Sequence, residues 1–231
     1  MRLQKYLAHA GVCSRRKAEA LILDSRIKVN GELVTTLGTQ VDPETDQVLF
    51  DNQKVAFLGS GPKLIYIAVN KPQGVVTSCS QKNTKIILDL VPVKDRIYPI
   101  GRLDKDSVGL VLLTNDGHLH NRLSHPSHDH EKEYLVFTRH PVSDKALGAM
   151  AEGMVIEGEK TRRAQVKRVA PKGFKIILKQ GRNRQIRKMV GKTGNKVDTL
   201  KRVRMANINL GSLKPGKWRY LTDKEVKILT Q

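Results

Sequence analysis

The chain has 231 residues, enough for one large domain or for a small one and a medium one. Its formal net charge is +20, from 42 Lys and Arg against 22 Asp and Glu, and a field of that sign draws polyanions, nucleic acid first among them. No apolar run approaches the length of a membrane span, the amino terminus leads into an amphipathic pattern and not a signal-peptide core, and Cys13 and Cys79 make no metal spacing. A reducing, cytoplasmic setting without membrane contact is therefore expected. A role on a membrane surface would want a basic amphipathic helix with bulky apolar residues opposite, and no strong one is present.

Leu3, Tyr6, Leu7 and Ala10 recur at helical spacing, and Gly11 ends that helix. Ser14 caps a second helix whose apolar face is Ala18, Leu21 and Ile22. Arg15, Arg16 and Lys17 fill its first turn, where the helix dipole is already positive and each cation costs up to about 1 kcal/mol. A helix built only for stability would place acids there. A phosphate docked against the three cations removes the conflict and uses the free N–H groups. The pair Asn30-Gly31 between apolar-alternating segments predicts a hairpin, and Thr39 to Val55 predicts further short strands around Asp42-Pro43. Gly59-Ser60-Gly61-Pro62 reads as a linker, which sets a module over 1–58, a connection over 59–63 and a larger domain over 64–231.

In the larger part, Leu64 to Val69 predicts a strand, Asn70-Lys71-Pro72-Gln73-Gly74 a turn, and Val75 to Thr77 a second strand. Ile86 to Leu90 is a short helix candidate. The apolar run Gly109 to Leu113, bounded by Gly101-Arg102-Leu103-Asp104-Lys105-Asp106 and by Asn115-Asp116-Gly117, reads as a buried strand that fixes a charged loop. Further on come a short helix over His118 to Leu123, a strand over Glu131 to Phe137 and a helix over Ser143 to Met150. Gln165 to Val169 and Phe174 to Leu178 form a strand pair around Pro171-Lys172-Gly173. Gly181-Arg182-Asn183 opens a basic helix whose apolar face is Ile186, Met189 and Val190. Short strands near Leu200 to Ile208 and Trp218 to Leu221 follow, and Thr222-Asp223-Lys224-Glu225 is a capping box for the last helix. Strands and helices mix without βαβ regularity, which predicts an α+β fold with a mixed, mainly antiparallel sheet flanked by helices. His118, His120, His125, His128 and His130 crowd one span near Asp129, but Pro126 interrupts them and no Cys stands by, so a zinc site is not expected.

The first fifty residues, through Arg2-Leu3-Gln4-Lys5-Tyr6-Leu7, Ser14-Arg15-Arg16-Lys17-Ala18-Glu19 and Ile27-Lys28-Val29-Asn30-Gly31, resemble the alpha-L RNA-binding domain, a small fold shared with a primary-binding protein of the small ribosomal subunit. Three later motifs resemble the pseudouridine synthases in order and spacing. They are Asn70-Lys71-Pro72-x-Gly74, the stretch from Gly101-Arg102-Leu103-Asp104 to Asn115-Asp116-Gly117, and Gly181-Arg182-Asn183-Arg184-Gln185-Ile186-Arg187-Lys188-Met189. The joint pattern is most similar to the branch that modifies ribosomal RNA and carries an alpha-L domain in front. Ser107 departs from the usual Thr and keeps the hydroxyl.

The resemblance implies an isomerisation in which a uracil is detached from its ribose, turned and rejoined through carbon, with no metal or cofactor. It makes Asp104 the catalytic carboxylate, Tyr134 the aromatic residue against the base that assists proton removal, and Arg187 the cation paired with Asp104. Arg15, Arg16, Lys17, Lys71, Arg102, Arg182, Arg184, Gln185, Ile186 and Lys188 are the candidate substrate and RNA contacts, with Ile186 packed against the base; for Lys71 the family pattern also implies a structural role beside the active site. The chemistry suits these residue types. A target base within structured RNA has to be swung out of its stack. Cleaving its glycosidic bond builds positive charge on the ribose, which a carboxylate stabilises or captures. Asp106, two residues from Asp104, and Asp116, in a turn, read as structural. The expected partner is ribosomal RNA or an assembly intermediate, the expected state a monomer, and the expected substrate large-subunit (23S) RNA. Small-subunit (16S) RNA, or a non-catalytic protein that binds RNA during ribosome assembly, stays open at this point.

Overall fold

The computed structural model describes residues 1–56, 63–124 and 129–230. Its contacts divide the chain into two units, Met1–Leu64 and Ile65–Gln231. The expected Gly59–Pro62 linker lies outside the described residues.

In the first unit, α1 (Leu3–His9) and α2 (Arg15–Leu23) precede β1 (Ile27–Val29), β2 (Glu32–Leu33), β3 (Val48–Phe50) and β4 (Gln53–Lys54). The strands form an antiparallel sheet in the order β2-β1-β3-β4. Asn30 and Gly31 both take positive φ, which matches the right-handed twist of the hairpin they join. A second hairpin turn falls at Asp51-Asn52, also at positive φ, while the expected Asp42-Pro43 turn forms ahead of β3, closed by the Asp46 N–H on the Asp42 carbonyl at 2.9 Å. Leu3, Tyr6 and Leu7 from α1 meet Ala18, Leu21 and Ile22 from α2 over Ile27 and Val48, a separate small core. The Ser14 hydroxyl accepts from the Lys17 N–H at 3.2 Å, as its position predicts, and Arg15, Arg16 and Lys17 stand exposed on that turn.

The second unit holds, in order, β5 (Tyr66–Lys71), a 3-10 turn (Ile87–Leu90), β6 (Tyr98–Ile100), β7 (Val108–Thr114), α3 (Gly117–Ser124), β8 (Lys132–Thr138) and α4 (Asp144–Glu152). There follow β9 (Val155–Ile156), β10 (Glu159–Lys160), β11 (Gln165–Ala170), β12 (Gly173–Leu178), α5 (Gln185–Lys192), β13 (Val197–Met205), β14 (Ile208–Asn209), β15 (Trp218–Tyr220) and α6 (Asp223–Thr230). A 9-stranded sheet runs β11-β12-β8-β13-β7-β5-β15, with β6 on β7 and β14 on β13. Among the described strand pairs of this sheet, only β7–β13 is parallel. The short β9–β10 hairpin stands apart. Val75–Thr77, expected as a strand, forms only an isolated bridge from Val76 to Ile86. The reason is the positive φ of Gly74, which turns the chain out of the sheet after β5.

β7 reads as an unbroken apolar run because both its faces are covered. Val111 and Leu113 pack with Val136, Ile176, Met150 and Met189 on one side. Leu110 and Leu112 pack with Leu119, Leu123 and Leu229 from α3 and α6 on the other. Burying a side chain of this size contributes about 1.5–3 kcal/mol, so β7 anchors the segment before it. Gly109, at φ +105°, lets β7 begin against β13, since a Cβ there would lie 2.3 Å from the Arg202 carbonyl oxygen. Asp116 caps α3, accepting from the N–H groups of His118 and Leu119 at 2.9 and 3.0 Å, and also accepts from the Tyr66 hydroxyl. The Thr222–Glu225 capping box forms as expected at α6.

Candidate active site

The loop before β7 is held from both sides by the segment after β5. Lys71 ends β5 with its side chain fully buried. Its ammonium donates to the carbonyls of Pro72, Val75 and Lys105 at 3.0, 2.7 and 3.3 Å. Burial pushes this lysine down to about 8, and the nearby Asp104 and Asp106 carboxylates oppose that shift. Three acceptors match its three N–H groups, so Lys71 holds the loop from within and does not face RNA. That corrects its expected place among the RNA contacts: a residue with no exposed surface cannot meet a phosphate. The Gly74 N–H also donates to the Lys105 carbonyl at 2.9 Å. On the other side of Asp104, the Thr77 hydroxyl bonds the backbone of Leu103. A turn closes when the Ser107 N–H reaches the Asp104 carbonyl at 3.0 Å.

The Asp104 side chain, about a third exposed, faces an open pocket of about 570 Å³. That volume lies within the range of small-molecule sites. Tyr134 from β8, Leu178 from β12, Leu200 from β13 and Ile186 from α5 give it an apolar wall. Arg102, Asp104, Arg182 and Arg184 give it charged edges. Tyr134 is 8% exposed, and its hydroxyl has no partner among the described residues. Asp104, Tyr134 and Ile186, widely separated in sequence, thus share one cavity.

Arg187 takes a different place from the one expected. No ion pair within 4.0 Å joins it to Asp104 among the described residues. Arg184 fills that position, its Nη1 lying 3.6 Å from Asp104 Oδ2. Arg187 stands behind the loop, donating to the Asp106 carbonyl, the Ser107 hydroxyl and the Val197 carbonyl at 3.3–3.4 Å. Burial pushes its guanidinium below the ordinary value, the Arg184 cation adds to this, and Asp104 and Asp106 pull it back. The physical cause is the backbone at Arg184. It takes φ +50° at the start of α5, a conformation rare for a non-glycine residue, and this turns its side chain toward the pocket.

The other basic residues of this segment are also engaged. Arg182 pairs with Glu159 at 2.8 Å and donates to the carbonyls of Glu159 and Lys160. Lys188 pairs with Glu157 at 2.8 Å. Gln185 is buried and accepts from the Arg182 N–H, so it shapes the loop more than it offers a surface. Of the histidines, His120 stands edge-on to Tyr98 with ring centroids 5.3 Å apart, while His125 and His128 lie outside the described residues. Reading the sequence missed Arg184 as the direct partner of Asp104, Thr77 as a clamp on its loop, and the acids Glu157 and Glu159 that hold Arg182 and Lys188. Arg184 stood in the right motif, but its backbone turn has no sequence signature.

Comparison with known proteins gives the family. Residues 65–192 match the family described as RNA pseudouridylate synthase, and residues 1–48 match the S4 domain. This chain belongs to the RNA pseudouridylate synthase family, and is an RNA pseudouridine synthase with an S4 domain at its amino-terminal end. It is 41% identical to the dual-specificity RNA pseudouridine synthase RluF of Escherichia coli (strain K12), over 98% of this chain and 77% of that protein. It is also 41% identical to the ribosomal large subunit pseudouridine synthase B of Bacillus subtilis (strain 168), over 99% of this chain and 95% of that one. A crystal structure of a pseudouridylate synthase superposes with a TM-score of 0.72 at 33% identity, covering 99% of each chain.

Proposed function

We propose that this enzyme isomerises a uridine of large-subunit ribosomal RNA to pseudouridine in the pocket between Asp104 and Tyr134. The observation that carries the reading is the convergence of Asp104, Tyr134, Arg184 and Ile186 on one cavity within the family's domain. The uridine enters that cavity swung clear of its stack. The bond from C1′ to N1 breaks, and the carboxylate of Asp104 stands where the ribose becomes positive. The uracil turns, C1′ bonds C5, C5 loses its proton and N1 gains one. Tyr134 lies along the base, presenting an aromatic face and a hydroxyl without a partner among the described residues. Arg184 holds the carboxylate, and Arg187 holds the loop that carries it. Arg102, Arg182 and Lys188 face the RNA backbone around the cavity, and Arg15, Arg16 and Lys17 bind phosphate from the S4 domain.

The large-subunit assignment follows the name of the Bacillus subtilis relative. The dual-specificity relatives are equally similar, so the test has to cover total RNA. Pseudouridines are mapped in RNA from cells with and without the gene. Loss of a large-subunit site supports the assignment. An unchanged large-subunit RNA, with a site lost elsewhere, overturns it.

A further inference from the structure

We propose that Thr77 is a positioning residue for the isomerisation, setting the height of Asp104 in the pocket through the backbone of Leu103; this rests on the assignment of Asp104 above. The Thr77 side chain is buried, 5% exposed, at the pocket's inner wall. Its hydroxyl donates to the Leu103 carbonyl at 2.9 Å and accepts from the Leu103 N–H at 3.3 Å. One atom thus satisfies both backbone groups of the residue before Asp104. Among side chains of this size only a hydroxyl does both well, being donor and acceptor at once. Leu103 is itself buried, and among the described residues its N–H and carbonyl have no other partner.

The residue after Asp104 is fixed independently. The Lys105 carbonyl takes the Lys71 ammonium and the Gly74 N–H. The carboxylate therefore hangs between two pinned residues, and both pins come from the single segment 71–77. Without the Thr77 hydroxyl, two buried backbone groups lose their partners and one pin is gone. The loop then relaxes around the pin at Lys105, and Asp104 moves relative to the base. A displacement of about 1 Å in a reacting group costs about 10²-fold in rate. Binding of RNA is untouched, because Thr77 presents almost no surface to it.

The test compares full-length wild type, Thr77→Val, Thr77→Ala, Thr77→Ser and Asp104→Asn. Each is given [5-³H]uridine-labelled ribosomal RNA from cells lacking the gene, in single-turnover tritium release, with RNA affinity measured alongside. The expected result is a rate about 10- to 100-fold lower for Thr77→Val and Thr77→Ala, affinity within about twofold, and recovery in Thr77→Ser. Amide exchange at Leu103 reads the clamp without reference to activity. It accelerates in the valine and alanine variants and stays at the wild-type rate in the serine variant. Wild-type release by Thr77→Val beside an inactive Asp104→Asn overturns the positioning role alone. So does a parallel fall of rate and affinity, or unchanged exchange at Leu103. Wild-type release by Asp104→Asn overturns the assignment of Asp104, and this proposal with it.

Discussion

Two basic clusters, one in each unit of the chain, are built on opposite terms. Arg15, Arg16 and Lys17 stand exposed in the first turn of α2, and among the described residues none has an ion-pair partner. Arg182, Arg184, Arg187 and Lys188 at the start of α5 are all engaged, with Glu159, Asp104, the Asp106 carbonyl and Ser107 hydroxyl, and Glu157 in that order. An unpaired surface cation gains its full attraction from an arriving phosphate and carries no geometric information. A paired one has already spent much of its field on a neighbour, and in return its position is fixed. One excess of positive charge thus divides into a free cluster and a held one. In the proposed reading the first cluster supplies affinity, and the second supplies placement.

The sharpest way to break this contrast is to delete cations from each cluster and ask whether rate or affinity moves. Arg187→Met should lower the single-turnover rate by about 10²-fold, since Arg187 holds the backbone on which Asp104 is mounted, with RNA affinity within about threefold. Arg184→Met should cost about 10-fold by the same assay, as it contacts the carboxylate at one point 3.6 Å away. If either variant instead loses affinity and keeps its rate, the two clusters are alike and the contrast fails.

Arg15→Glu combined with Arg16→Glu should act the other way. Affinity falls, and the slope of log affinity against log salt becomes shallower by about 1.5. The rate at saturating RNA should stay within about twofold of wild type. An unchanged slope would remove the S4 domain's first turn from the RNA-binding surface.

The smallest expected effect concerns a paired cation far from the pocket in sequence. Arg219 holds Glu225 through two hydrogen bonds of 2.7 Å, and this holds the Glu225 carboxyl down to about 2. A carboxyl depressed in the folded state adds stability above its unfolded value of about 4.3, and that stability is lost as pH falls from there toward about 2. Glu225→Gln should therefore destabilise the protein by about 1 kcal/mol at pH 7, with the gap closing on acidification. Urea unfolding of both proteins across pH 7 to 2 measures it. A gap that persists at the acid end would show that the pair contributes through packing and not through charge.

What could be read from the sequence was what is decided locally. The Asn30-Gly31 hairpin needs two residues at positive φ, and Ser14 and the Thr222–Glu225 box cap the helices that follow them. The run from Leu110 to Leu113 announces a strand covered on both faces. What could not be read depends on distant partners. Lys71 read as a turn residue and a candidate RNA contact and is buried, where the carbonyl of Lys105 reaches it from a segment 34 residues away. Thr77 looked like the end of a strand and is a clamp on Leu103. Arg184 takes the place beside Asp104 that was expected of Arg187, from a left-handed backbone that no residue type demands. Asp104, Tyr134 and Ile186 were legible through family resemblance, while the sheet register that brings Tyr134 opposite Ile176 and Arg202 was not.

Tritium release by Asp104→Ala from [5-³H]uridine-labelled ribosomal RNA tests the whole construction most directly. No release above background, with RNA bound as tightly as by wild type, is the predicted result. Release at a wild-type rate would mean that the carboxylate in this pocket does not carry the reaction.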